Sequence, residues 1–387
     1  MGKKLFLPVV ILILFCTGCA GNISIPKQQP EIDTKEPEQA AAVTPNTGFA
    51  DMAGTDLTAY QTLDAPEDKV LYREIAEILG CMQTECEISA WEEEQISRVF
   101  ACVMADHPEF FYVDGYRTQI YRIRDEVQKI TFSGTYTLSA DEAEQKAALM
   151  DQIAGEWILQ MPTGLDDYGK VKYLYETVIS AAEYDIDALQ GQNMQSVFLY
   201  GKSVCQGYTR AFQYLCHLTG IPCISVSGTV NGQPHAWAMV CTDKEWYHVD
   251  PTWGDAAFAL GVTQEPAATS LAAVNYDYLC VSDTQIADTH LISDAIEWPV
   301  CDSVANNYYR REGLYVESAD TEQIKEILTA AREKGMESVT FQCADASVYQ
   351  DVYDILLNKQ QVLKILSADR VSYAESAEKK TLTFWLP

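Results

Sequence analysis

The sequence has few basic residues and few histidines. It contains 27 lysines and arginines against 56 aspartates and glutamates, five histidines, and a formal net charge of −29. A surface of this charge repels the phosphates of nucleic acids, and no basic stripe interrupts it, so we expect no nucleic-acid partner. Neutral or basic partners remain compatible with this charge.

Long apolar runs are also missing. The longest candidate, Leu5 to Phe15, follows two lysines and is too short for a confident membrane span, but it is typical of a signal peptide over residues 1–18. The small residues before Cys19 resemble a bacterial lipoprotein cleavage box, in which Cys19 becomes the lipidated N-terminus. An ordinary secreted protein cut nearby is the alternative. We therefore expect a protein anchored by lipid to the cell membrane, on its extracytoplasmic face.

Large apolar side chains are scarce from residue 19 to residue 65, a segment rich in Pro, Gln, Glu, Thr and Ala. Such a segment cannot bury enough surface to fold, which predicts a flexible tether. After it the pattern becomes globular and ends in alternating strands and helices that indicate a small α/β appendage. The expected order is signal peptide, tether, N-terminal leader, catalytic domain and C-terminal α/β region, over residues 1–18, 19–65, 66–135, 136–310 and 311–387.

Twelve cysteines would favour disulfides outside the cell, yet they are scattered along the chain. Cys81 and Cys86 form the only close pair. Three others, Cys223, Cys241 and Cys280, fall in apolar strands, where we expect thiols of the core. The disulfide status of the mature protein stays open at this point.

One cysteine has a different setting. Apolar residues from Tyr208 to Leu218 recur at three- and four-residue steps, which predicts a helix over about 205–219 that ends at Gly220. Cys205 lies in its first turn, where unpaired N–H groups and the helix dipole favour the thiolate, a nucleophile near neutral pH. The alternative is a small buried apolar residue, as most free cysteines are.

Three strands follow this helix. Cys223 to Ser227 has the alternation of a half-buried strand, and Asn231-Gly232 predicts the hairpin turn after it. His235 to Cys241 is predicted as a buried strand and Glu245 to Asp250 as its partner. If the second turn is Thr242-Asp243, His235 lies directly opposite Asp250. A two-residue shift leaves the pair diagonal on one face, whereas a one-residue shift separates them. Most even-step registers therefore bring the two side chains within hydrogen-bond distance.

Cys205, His235 and Asp250 thus have the chemistry of a nucleophile, a base and a group that orients the base. Singly, each has an ordinary explanation, since a lone histidine is often a core residue and Asp-Pro often starts a turn. A metal site of Cys205, His235 and His248 is a weaker alternative, because no CxxC or HxxxH spacing supports it. We expect no metal and no cofactor, because side chains alone supply the chemistry.

These motifs resemble those of the transglutaminase-like superfamily. The matching segments are Gly201–Tyr208, Gly220–Cys223, His235–Trp237 and Trp246–Trp253. The resemblance implies an α+β fold with a papain-like core, in which a cysteine helix packs on an antiparallel sheet. It also implies a Cys-His-Asp triad of Cys205, His235 and Asp250, and makes Tyr184 or a neighbour a candidate for the oxyanion site. Ala238 stands where the family usually has asparagine, and Gly254 where aspartate is common, which affects substrate contacts rather than the triad.

The function implied is acyl transfer through a thioester on Cys205, with a peptide or protein as substrate. Water as acceptor gives a peptidase or amidase, which we favour; an amine gives a cross-linking transglutaminase. The alternative from another class is a non-catalytic cell-surface binding module that retains the fold. The 256–273 loop is a candidate lid or rim over the cleft, and a flexible surface excursion is an equal alternative. The sequence leaves the substrate's identity and the oligomeric state open.

Overall fold

The structure is a computed structural model that describes residues 58–123, 126–255, 274–294 and 296–386. The predicted signal peptide, the lipidation residue Cys19 and the 256–273 loop lie outside the described residues. Within the described ranges, the search for helices with the length and apolar character of a membrane span finds none.

The N-terminal leader consists of three helices and a three-stranded antiparallel sheet in the order β1-β3-β2. The helices are α1 (Thr58–Gln61), α2 (Pro66–Gly80) and α3 (Glu93–Asp106). The strands are β1 (Cys86–Ile88), β2 (Val113–Ile123) and β3 (Glu126–Tyr136).

The prediction of a tether that extends to residue 65 is wrong at its C-terminal end. Ala59 in α1 is fully buried, and its backbone N–H and that of Tyr60 each donate to the Asp106 carboxylate at 2.9 Å. The composition does not reveal this contact, because a distant buried carboxylate holds the segment together with the single buried leucine Leu63.

Two long helices lead into the next part of the chain. Ser139 and Glu142 form a capping box at the start of α4 (Ala140–Leu159), and Asp166 caps α5 (Asp167–Ala181). A short parallel pair follows, β4 (Glu183–Tyr184) with β5 (Lys202–Ser203), separated by the π-helical turn Ser196–Tyr200. The pair ends directly before α6 (Cys205–Leu218), so the predicted cysteine helix is confirmed.

A five-stranded antiparallel sheet in the order β10-β6-β7-β8-β9 faces α6. Asn231 and Gly232, with φ of 51° and 74°, make the predicted two-residue turn between β6 and β7. The sequence pattern over Asn275–Val281 predicts a strand, but residues Tyr276–Tyr278 form a 3₁₀ turn capped by the Asn275 side chain, so the prediction is wrong in its first half. The strands are β6 (Cys223–Val230), β7 (Gln233–Thr242), β8 (Glu245–Val249), β9 (Leu279–Val281) and β10 (His290–Ile292). Short helices α7 (Pro251–Gly254), α8 (Asp283–Ile286) and α9 (Tyr308–Arg311) join and follow them.

The fold is α+β, with the cysteine helix packed on an antiparallel sheet as predicted. Tyr208, Phe212 and Leu215 of α6 are fully buried and belong to one hydrophobic core with Trp237 of β7. This core runs from Ala59 to Tyr309 and includes residues of the leader. The leader and the catalytic segment are therefore packed as one body, and the predicted domain boundaries stay a prediction.

The C-terminal region has a hydrophobic core of its own, from Val316 to Phe384. Its sheet has the order β11-β12-β14-β13, and the predicted alternation of strands and helices is confirmed. The sequence pattern missed the strand Ser372–Ser376, because this exposed edge strand has no apolar alternation. The pattern also missed the short helix Gln361–Leu366. The elements are β11 (Tyr315–Val316), α10 (Thr321–Glu333), β12 (Ser338–Cys343), α11 (Ala346–Tyr353), α12 (Gln361–Leu366), β13 (Ser372–Ser376) and β14 (Thr381–Trp385).

Candidate active site

Cys205 is the first residue of α6 and is half-buried. The residue before it, Val204, offers no side-chain cap, so the first N–H groups of the helix are not capped by it. The segment before the helix packs closely against Gly207, where a Cβ atom would lie 2.5 Å from the carbonyl oxygen of Gly191. The glycine is thus needed for this close approach, and the approach fixes the start of the helix.

The β7–β8 register brings the predicted base and carboxylate together. Ala238 pairs with Val249, and the turn is Asp243-Lys244 with both residues at positive φ. The register is therefore shifted by two residues from the directly opposed one, and His235 and Asp250 lie diagonally on the same face. Nε2 of His235 lies 2.7 Å from Oδ2 of Asp250.

Asp250 is fully buried and its carboxylate is held from two sides. Oδ1 accepts the backbone N–H groups of Thr252 at 2.9 Å and Trp253 at 3.1 Å, so Asp250 also caps the short helix α7. The turn function that the sequence offered as an alternative is therefore present as well. Burial alone would raise the pKa of the Asp250 carboxyl, but His235 and His290 hold this pKa well below its usual range.

His235 links Asp250 to the thiol. Its ring is buried, which disfavours the imidazolium, but Asp250 and a hydrogen bond with the Cys205 side chain outweigh burial and raise the pKa of His235 to about 10. Because Nε2 is bonded to Asp250, Nδ1 is the nitrogen that remains for the thiol. The structure thus brings the three predicted site residues together in the order Cys205, His235, Asp250.

A fourth side chain, His290, was not identified from the sequence. It begins the edge strand β10, is 2% exposed, and its Nε2 lies 3.0 Å from Oδ2 of Asp250. The strand has three residues, and the two after His290 are exposed apolar residues, so it shows no alternation. A lone histidine was the only signal available, and the pairing of β10 with β6 that places it is not visible in the local sequence.

The metal site of Cys205, His235 and His248 that the sequence left as an alternative is wrong, because His248 is engaged elsewhere. Its Nδ1 accepts from the indole N–H of Trp237 at 2.9 Å, and its Nε2 lies 2.8 Å from Oδ1 of Asp283. Cys301 completes a compact group with His248 and Asp283 that has metal-ligand atom types. However, a neutral histidine that accepts a hydrogen bond at Nδ1 carries its proton on Nε2, so Nε2 has no lone pair for a metal. The residues fit a hydrogen-bond network better than a metal site.

Among the described residues, a second compact group of ligand-type atoms is formed by His235, Asp250 and His290. Here both histidines direct Nε2 at the same carboxylate oxygen. This group is therefore the hydrogen-bonded centre of the candidate active site.

Tyr184, the candidate for the oxyanion site, lies in β4 close to the nucleophile. Burial and the charge of Cys205 raise the pKa of its hydroxyl, and the neighbouring strand β5 leads directly into α6. A contribution of Tyr184 to the oxyanion site stays a prediction.

Parts of the chain are similar to known proteins. Residues 159–251 match the model of the transglutaminase-like superfamily. Kyphoscoliosis peptidase from Homo sapiens is 27% identical over 132 residues, which are 30% of this chain and 19% of that protein. The chain therefore spans about a fifth of the human relative that it matches.

Two solved structures overlap with part of the chain. A crystal structure of a TGase has a TM-score of 0.28 at 18% identity and covers 41% of this chain and 49% of its own. A putative cysteine protease from Cytophaga hutchinsonii has a TM-score of 0.25 at 12% identity, with 35% and 61% covered.

Proposed function

Because the chain carries a transglutaminase-like domain, which its residues 159–251 match, we propose that it is a cysteine-based acyl-transfer enzyme with Cys205 as the nucleophile. The observation that supports this proposal is the chain of contacts from the Cys205 thiol through His235 to Asp250. Members of this superfamily are typically cysteine-based enzymes, and the contact order matches the requirements of nucleophile, base and orienting group.

The reaction has two halves. The Cys205 thiolate attacks the carbonyl carbon of a peptide or carboxamide, and the imidazolium of His235 protonates the leaving amine, so the C–N bond breaks and a thioester forms. The neutral His235 then takes a proton from the acceptor, which attacks the thioester and releases Cys205. The backbone N–H of Cys205 at the start of α6 stabilises the oxyanion in both halves.

We propose water as the acceptor, which makes the protein a peptidase or amidase. The names of the human relative and of the Cytophaga structure point in this direction, whereas the TGase structure points to an amine acceptor. A non-catalytic binding module is less well supported, because a module that only binds has no need of a complete Cys-His-Asp chain.

Alkylation by iodoacetamide, followed by peptide mapping between pH 5 and 9, tests the nucleophile. Cys81 is exposed and serves as an internal control, while Cys205 is half-buried. We expect Cys205 to react faster than Cys81 below pH 8 in the wild type, and to lose this advantage in His235→Ala. If Cys205 reacts no faster than Cys81 in the wild type, the activated pair does not exist and the binding module becomes the better proposal.

Substrate assays then separate the two acceptors. With peptide and carboxamide libraries, we expect hydrolysis products in the wild type and none in Cys205→Ala. Incorporation of a fluorescent primary amine in preference to hydrolysis would overturn the choice of water and make the protein a transglutaminase.

We also propose that the enzyme acts at the extracytoplasmic face of the membrane, anchored by lipid on Cys19, with a peptide or protein as substrate. The signal-like segment and the small residues before Cys19 support this proposal. In cells, the full chain should fractionate with membranes and Cys19→Ser should be released. Equal membrane association of both chains would contradict the anchor.

A further inference from the structure

His290 has more contacts with the candidate active site than a histidine that only fills space in a core would need. Its Nε2 lies 3.0 Å from Oδ2 of Asp250, and its Nδ1 lies 2.7 Å from Oγ1 of Thr289. Aromatic rings surround it, with centroid distances of 4.9 Å to Trp237 and 5.9 Å to Trp253. The ring is therefore fixed. Because the Asp250 carboxylate can only accept a hydrogen bond from Nε2, the proton of the neutral ring is on Nε2.

The Asp250 carboxylate has its hydrogen-bonding capacity fully used. A carboxylate has about four acceptor positions, and four donors reach this one: two backbone N–H groups at Oδ1 and two histidines at Oδ2. His235 and His290 share a single oxygen. A hydrogen bond from His290 draws negative charge toward itself and leaves less of it to stabilise an imidazolium at His235.

This sharing has a consequence for the two halves of acyl transfer. His235 must be an imidazolium when the amine leaves and a neutral imidazole when the acceptor attacks. In the thioester the Cys205 thiolate no longer exists, so Asp250 is the main anion that stabilises the imidazolium. A carboxylate that acted on His235 alone would hold the proton on the imidazole too strongly, and His235 would not be the neutral base that the attack on the thioester requires.

We propose that His290 is a positioning residue that shares the Asp250 carboxylate with His235 and thereby keeps His235 able to act as a base when the thioester is resolved. This inference rests on the proposed function. Other titratable groups near this centre act on it electrostatically from the elements packed around it: Cys205 of α6, Tyr175 of α5, Tyr278 before β9 and His248 of β8. They are the same in all variants below, so the comparison isolates His290.

The test compares His290→Met with His290→Gln. The two side chains have nearly the same length and volume, but only Gln retains an N–H donor for Asp250. The titration of the His235 imidazole is followed by NMR in the free protein, which requires no substrate. A control is His217→Met. His217 is a buried histidine at the far end of α6, and its ring is bonded to the carbonyl of Cys223.

We expect His290→Met to raise the titration midpoint of His235 by about one pH unit, since one hydrogen bond to the charged carboxylate is lost. His290→Gln and His217→Met should leave it close to the wild-type midpoint. In turnover, His290→Met should lower kcat by about tenfold with a smaller change in kcat/KM, and the thioester should accumulate in mass spectra. Rescue by Gln distinguishes this role from a merely structural one.

Equal midpoints in the Met and Gln variants, or a lower midpoint in the Met variant, would overturn the role of His290. If the Met variant does not fold, His290→Asn replaces it, because its amide is too short to reach Oδ2. A midpoint shift in a protein that forms no thioester would retain the sharing of the Asp250 carboxylate by His290 and His235, but it would remove the proposed function and with it the role of His290 in resolving a thioester. A thioester that is resolved equally fast in the Met and Gln variants would retain the proposed function and remove the role of His290.

Discussion

At the scale of single residues, the His235 ring is subject to opposing influences. Burial disfavours its charged form, while Asp250 and Cys205 favour it, and the result is a pKa of about 10 against an ordinary value of 6.5. Because the folded value is the higher one, the folded protein binds more protons than the unfolded chain between these two pH values. The stabilisation is complete below about pH 6.5 and is lost as the pH rises toward 10.

The raised pKa of His235 in the folded protein gives a prediction for the pH dependence of stability. The free energy of unfolding, measured with urea, should fall between pH 7 and 9 in the wild type and fall less steeply in His235→Gln. Buried tyrosines and cysteines also destabilise the protein at high pH, so the informative quantity is the difference between the two chains. Parallel curves would show that His235 is not a charged partner of Asp250 and Cys205.

Asp250→Asn is the second prediction at this scale. The amide retains an oxygen for the N–H groups of Thr252 and Trp253, so the cap of α7 and the fold should remain. The side chain loses the charge that stabilises the His235 imidazolium and fixes its tautomer, so turnover should fall by orders of magnitude. Turnover within about twofold of wild type would mean that another group orients His235.

The three residues of the site were predictable because each lies beside a strong local signal. Cys205 opens a regular amphipathic helix, and His235 and Asp250 flank hairpins with short turns. His290 was not predictable in this way. Its contact with Asp250 depends on the pairing of an edge strand with β6, 60 residues earlier in the chain, which leaves no local pattern.

At the scale of elements, the start of α6 is determined by Gly207. The serines at 196 and 203 bond to each other at 2.7 Å directly over this glycine, and both hydroxyl oxygens are closer to the position of an added Cβ than the Gly191 carbonyl. An alanine at this position must displace the segment that leads into Cys205. A glycine two residues after Cys205 indicates by itself only that another segment can approach closely, and the identity of the approaching segment required the structure.

Gly207→Ala should therefore destabilise the protein by roughly 1–3 kcal/mol, as expected for overpacking, and reduce the alkylation advantage of Cys205. Gly155→Ala is the matched control, because Gly155 lies in α4 with open space around it, and alanine there should stabilise by about 0.5–1 kcal/mol. Thermal unfolding and iodoacetamide kinetics measure both effects. A Gly207→Ala protein as stable and as reactive as wild type would contradict the importance of this contact.

At the scale of the whole molecule, the leader and the nucleophile helix are joined by buried polar contacts. Arg210 donates to the carbonyl of Met104, and Gln213 donates to that of Ala105 at 2.6 Å, so α6 caps the C-terminal end of α3. Burial lowers the pKa of Arg210 to about 10 although Glu109 and Asp106 oppose this. The sequence predicted the leader as a separate region, because contacts between residues about a hundred positions apart leave no periodic signal.

The C-terminal region is joined to the rest more weakly, and the change to regular strand and helix alternation is the sequence signal that predicts its boundary near residue 311. Its own core is closed by residues after Val316. One contact across the boundary comes from Lys379 in the β13–β14 turn, whose ammonium lies 3.8 Å from the Asp288 carboxylate and 5.0 Å from the Tyr278 ring. An ion pair of this kind contributes little to stability.

These two interfaces predict opposite results for truncation. A chain of residues 58–315 should unfold cooperatively and retain the fast alkylation of Cys205, because the first hydrophobic core and the contacts of α6 with α3 stay complete. A chain of residues 136–387 should lose both properties, because it leaves Arg210 buried without the carbonyl of Met104 and removes the α3 side of the core. Circular dichroism melts and peptide-mapped alkylation of both chains, with the 58–387 chain as control, measure this. If the 136–387 chain melts cooperatively and its Cys205 is alkylated at the control rate, the leader is a removable segment. If Cys205 of the 58–315 chain is no longer alkylated fast, the C-terminal region has a role in the site.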